Sequence, residues 1–125
     1  MVYRRSYNNH ITPPAPFANL TISHPINKID TYDVDALVDT GADVTLITKS
    51  VVENLHLIPN GLENMYDFEG NFVGQKPKYL IGISFGTFHF NIQAVETDGD
   101  PILGRDVLNR LTTVLKGTAN LMEMS

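Results

Sequence analysis

The chain has 125 residues, 42% of them apolar, and nine Lys plus Arg against 14 Asp plus Glu give a net charge of −5. That length suits one domain with one core, the acidic balance argues against nucleic acid as the main partner, and the absence of cysteine excludes disulfides and thiolate chemistry. Arg4 and Arg5 lead into polar "SYNNHITPP" where a secretory signal needs an apolar stretch, and no window reaches the length of a membrane span, so the expectation is a cytoplasmic protein without membrane contact.

Residues 1–16 read as an extended arm, because Pro13, Pro14 and Pro16 favour extended backbone and cannot donate to a central ladder. The domain proper then spans 17–125. "FANLTIS" puts Leu20 and Ile22 on one face, and "YDVDALV" does the same for Tyr32, Val34, Ala36 and Val38. The turn chemistry of "HPINKID" lies between them. Residues 17–38 are thus predicted to form a hairpin that leads into Asp39.

"VTLI" (44–47) predicts a short strand. "TKSVVENLHL" predicts a short helix, with Ser50 and Glu53 at capping-box spacing and "IPNG" as its stop. "LENMYDFEGNFVGQK" is polar and aromatic, with a turn near Gly70. "KYLIGISF" and "TFHFNIQAV" read as strands joined across Gly86, with Phe88, Phe90, Ile92 and Ala94 facing inward and His89 outward. "TDGDP" is a turn. "ILGRDVLNRL" begins as a strand and becomes a short helix after Gly104, and "TTVL", "KG" and "ANLMEM" predict a terminal hairpin. About eight short strands with one or two short helices make an all-β barrel or sandwich.

The chemistry gathers in "ALVDTGADVTL", residues 36–46. A carboxylate on a tight turn between apolar strands is costly unless it is paired or put to use. An Asp-Thr-Gly triplet alone carries little information. Here an apolar strand precedes it, "VTLI" follows it, and "PILGRDVLNRL" lies downstream at 101–111. With both blocks the sequence resembles the retropepsin-like aspartic proteases over about residues 17–115. The resemblance implies a small closed β-barrel with a short helix near the C-terminus, active as a homodimer on peptide or protein substrates and without a cofactor. It makes Asp39 the catalytic residue. Thr40, Gly41 and Ala42 would form the active-site loop, with Ile102, Leu103 and Gly104 packed beneath it. Asp43 and Arg105 would form a structural ion pair. Phe68, Glu69, Gly70, Asn71 and Phe72 would be the flap over the substrate, and Val44 would line a subsite with Phe72 and Ile102. "DFEGNFVG" is bulkier than the glycine-rich flap tip of the viral enzymes, and the C-terminus runs on past the helix.

Hydrolysis by carboxylates needs two of them beside one water, and two so close share one proton. One Asp-Thr-Gly cannot make that pair, so the second carboxylate comes from an identical chain across a two-fold axis. Other readings stand beside these. Asp39 can be a loop carboxylate bonded to backbone N–H groups, Asp43 an exposed loop charge, and Tyr66, Phe68 and Phe72 plain packing. The domain can also be a catalytically silent dimerisation or interaction module. Asp33, Asp35 and Asp39 lack the glycine turn and closing Glu of a calcium loop. His10, His24, His56 and His89 lack zinc spacing. No metal site is expected.

Overall fold

The computed structural model describes residues 2–125. Its strands are β1 (Tyr3–Ser6), β2 (Phe17–Ser23), β3 (Thr31–Val38), β4 (Leu46–Thr48), β5 (Leu62–Tyr66), β6 (Phe72–Phe85), β7 (Phe88–Thr97), β8 (Ile102–Leu103), β9 (Thr113–Lys116) and β10 (Leu121–Met124). Two short helices, α1 (Lys49–Asn54) and α2 (Arg105–Leu108), follow β4 and β8. None of the described helices is long and apolar enough to cross a membrane.

Seven strands form one sheet in the order β2-β3-β8-β4-β7-β6-β5, and β2 also pairs with β6 through Thr21–Ser23 and Gly82–Ser84. That extra pairing turns the sheet into a nearly closed ring and leaves β5 outside it. Period-two alternation fills the ring. Leu20, Ile22, Ala36, Ile81, Ile83 and Ala94 are each 1% exposed or less. Their alternate neighbours face out, among them His89, whose Nδ1 lies 2.9 Å from Ser84 Oγ. The predicted hairpin over 17–38 is present with a continuous register from Phe17↔Leu37 to Ser23↔Thr31.

The strand count exceeds the expected eight because β1, within the arm, and β5, within the polar segment before Gly70, are strands as well. Tyr3–Ser6 within the proline-containing arm pairs with β10, which pairs with β9, giving a second sheet of order β1-β10-β9. Met122 and Met124 from this sheet are fully buried in the core, and Tyr3 packs edge-on to Phe85 at 5.4 Å. Arg5 forks onto both oxygens of Asp35 at 2.9 and 3.1 Å. This pairing raises the pKa of the guanidinium and lowers that of the carboxylate. The signal for β1 is weak because "YRRS" has no apolar alternation of its own.

The capping box does not form. Helix α1 is capped at Thr48, without a side-chain cap bond, and Ser50 lies inside it with its hydroxyl 2.9 Å from that of Thr48. Strand β4 runs straight into the helix, so no loop residue stands at Ser50 to act as a cap.

Candidate active site

Asp39 sits where β3 ends. Its N–H donates to the Leu103 carbonyl (3.1 Å), and the Val38 N–H donates to the Pro16 carbonyl (3.0 Å). Strand β8 lies between the two arms of the loop. It runs parallel to β3 through Leu37↔Ile102 and Val38↔Leu103, and antiparallel to β4 through Leu46↔Ile102. Leu103 is fully buried and supports the loop from beneath. Gly104 permits the close approach: a Cβ there would lie 2.5 Å from the Val44 carbonyl, a distance no side chain tolerates.

Within the loop, Asp39 Oδ1 accepts a hydrogen bond from the Gly41 N–H at 2.8 Å. Its Oδ2 has no hydrogen-bond partner among the described residues. In the single chain Asp39 is half-buried, less so than its setting between apolar strands suggests, and Thr40 and Gly41 are exposed. The Ala42 carbonyl accepts from the Arg105 N–H at 2.9 Å. The Arg105 guanidinium donates to the Thr40 carbonyl at 2.7 Å and to Asp43 at 2.5 Å. Both partners are solvated in the single chain, their side chains 41% and 84% exposed.

A second tie between the two blocks escaped the sequence reading. Thr45 is 1% exposed. Its hydroxyl donates to Asp106 Oδ1 (2.8 Å) and accepts from the Gly104 N–H (3.1 Å), and its N–H donates to Asp106 Oδ2 (3.0 Å). Thr45 and Asp106 thus hold the far arm of the loop onto the start of α2. The available signal is a threonine inside an apolar run, matched by an aspartate next to Arg105.

Above the loop stands the β5–β6 hairpin. Its tip is Asp67–Asn71, with Gly70 at φ +84°, a conformation natural to glycine. Asp67 accepts from the N–H groups of Asn71 (2.9 Å) and Glu69 (3.0 Å). Phe68 is wholly exposed, and Tyr66 packs edge-on to Phe72 at 6.0 Å. A cavity of about 450 Å³ separates hairpin and loop, lined by residues 41–44 and Leu46 below and 63–68 above. Val44 lines it, whereas Phe72, on the hairpin, and half-buried Ile102, paired from β8 with Leu37 and Leu46, are not among the lining residues. Glu69, Gly70 and Asn71 lie at the exposed tip. Among the described residues, no three His, Cys, Asp or Glu side chains gather into a metal-binding group.

A family model described as "gag-polyprotein putative aspartyl protease" matches residues 27–110, more than half of the chain. The chain belongs to this aspartyl protease family. Its fold is the retropepsin type. A retropepsin-like aspartic protease from Rickettsia conorii superposes with a TM-score of 0.67 at 18% identity, over 99% of this chain and 89% of that one. The EIAV protease in complex with an inhibitor gives 0.60 at 21% identity, over 85% of this chain and 93% of that one. No curated protein sequence matches. The matched span of this family member contains the loop, the hairpin and the β8–α2 block.

Proposed function

We propose that the protein is an aspartic endopeptidase whose catalytic pair is Asp39 and the Asp39 of a second copy. The observation that carries this reading is the half-exposed Asp39, with Oδ2 unpartnered, on a loop braced by Leu103, Arg105 and Asp106. Bracing a loop this firmly around a carboxylate with one oxygen left open suits a group whose second partner arrives from outside. Thr40, exposed beside it, would meet its symmetry mate, and the hairpin tip at Phe68–Phe72 would close over bound peptide.

The chemistry follows from two carboxylates sharing one proton. The ionised one takes a proton from water as the oxygen attacks the scissile carbonyl carbon. The protonated one donates a hydrogen bond to the carbonyl oxygen and stabilises the charge developing there. A carboxyl proton then reaches the amide nitrogen, the C–N bond breaks, and acid and amine leave.

The test compares wild type with Asp39→Asn on a peptide library. The variant keeps the shape but cannot supply the shared-proton pair, so it should fold, dimerise and lose cleavage. Wild-type specific activity should also fall on dilution through the dimer dissociation constant. Full cleavage by Asp39→Asn, or an active monomer in sedimentation, would refute the reading. An inert wild-type dimer would instead make the domain an interaction module.

A further inference from the structure

The cavity between hairpin and loop has an apolar floor of Ala42, Val44 and Leu46. Along β5, period two puts Glu63 and Met65 on the same face. Both are half-buried and line the roof, and Asn64 and Tyr66, more exposed, border it as well. A glutamate therefore borders a trough with an apolar floor, two residues along from a methionine.

The carboxylates lining this cavity differ in what already holds them. Asp67 accepts N–H bonds from its own turn. Asp43 is drawn to Arg105 at 2.5 Å. Glu63 makes no side-chain hydrogen bond among the described residues, and Lys78 Nζ approaches it only to 4.0 Å. None of the lining residues is cationic. A group filling this space would thus meet the apolar surface of Ala42, Val44, Leu46 and Met65, and at Glu63 a carboxylate without a hydrogen bond of its own.

We propose that the groove receives a lysine or arginine side chain of the substrate, and that Glu63 selects it. Such side chains lay an apolar stem along apolar surface and keep the charged head at a polar group. A head at hydrogen-bond distance competes well with a lysine at 4.0 Å, because charge-assisted bonds gain most at short range. Asp39 does not line the cavity, whereas Gly41, whose N–H donates to Asp39, does, so the groove adjoins the catalytic loop and the peptide series below finds which substrate position fills it. The inference rests on the protease reading for its substrate, and the test separates the two.

Short peptides identical except for Lys, norleucine or Glu at each position in turn are assayed with the 125-residue chain and with its Glu63→Gln and Glu63→Lys variants. Cleavage gives kcat/KM, and affinity is measured separately on Asp39→Asn, which holds peptide without turnover. At one position wild type should prefer Lys over norleucine by about threefold to tenfold, the range of a partly solvated ion pair. Glu63→Gln should bring that ratio close to one, and Glu63→Lys should favour Glu there. The preference should shrink as salt is raised. Cleavage with no basic preference at any position, or a preference that survives Glu63→Gln, overturns the inference and spares the protease reading. No cleavage but Lys-selective binding to Asp39→Asn supports the groove and sinks the protease reading. Neither cleavage nor selective binding overturns the groove as well.

Discussion

Residues 72–77 and 78–85 are two halves of one strand, β6, in different surroundings. The first half pairs with β5 alone, leaving Phe72 and Val73 more than half exposed and Gly74 at φ +135°. The second half pairs with β7 along its length and with β2 through Gly82–Ser84, and Ile81 and Ile83 are fully buried. The backbone is extended in both. What differs is the number of neighbours and the apolar area removed from water, which decide strand stability more than intrinsic preference does. The barrel end of the strand is a fixed base beside the site, and the other end is a roof held by one partner.

The largest effect should come from cutting into the base. Ile81→Ala removes buried methyl groups and leaves a cavity, at a cost of about 2–5 kcal/mol. Phe72→Ala, on the roof, should cost about 0.5 kcal/mol or less, as exposed substitutions do. Urea unfolding at one fixed protein concentration measures both. Similar losses would erase the distinction between the two halves.

The loop beneath the roof should behave like the base. Thr45→Val keeps the shape but leaves the Gly104 N–H and a lone pair of Asp106 unsatisfied, at a cost of about 1–3 kcal/mol. Ser50→Ala, which loses an exposed contact with Thr48, should cost about 0.5 kcal/mol or less. If Thr45→Val proves as mild as Ser50→Ala, the Thr45–Asp106 tie does not fasten the loop.

Hydrogen exchange sharpens the comparison without mutation. Amides of 79–84 should exchange only with global opening, and those of 73–76 through local opening of the hairpin. Uniform protection along β6 would show that the roof is as firmly held as the base.

How legible each part was follows from the same contrast. The hairpin over 17–38, the β7 alternation and the strand-to-helix change at Gly104 could be read because each is local: a period, a turn or a glycine. The loop and its supporting block were found because two sequence blocks matched one family pattern. Strand β1 escaped because "YRRS" acquires its structure from β10, more than a hundred residues away. The capping box failed because local spacing was right and tertiary context overrode it. Thr45 and Asp106 escaped because a polar pair that satisfies itself across the fold leaves no periodic trace. The continuity of β6 from roof to barrel was hidden by Pro77, which marks its passage from one set of partners to the other.

The smallest effect concerns the roof's tip and acid. The Asn71 N–H is the chief cause of a lowered Asp67 pKa, with further help from Asn71's side chain and the N–H groups of Glu69 and Gly70, since hydrogen bonds to the charged form favour it. A carboxylate whose folded pKa lies below its unfolded value contributes stability that is fully present above the ordinary aspartate range. That contribution is lost as pH falls through the lowered value. The turn should therefore stay intact from neutral into mildly acidic solution and loosen only in stronger acid, while the barrel beneath it persists. NMR titration of the Glu69 and Asn71 amides should show a shared midpoint below about 3.9, the ordinary value for aspartate. Asp67→Ala should abolish that titration and leave the urea midpoint of the protein unchanged, because the side chain is exposed on a hairpin outside the ring. A midpoint at or above the ordinary aspartate value would mean that the turn does not hold its carboxylate. An unfolding midpoint that moved with Asp67→Ala would mean that roof and base form one cooperative unit.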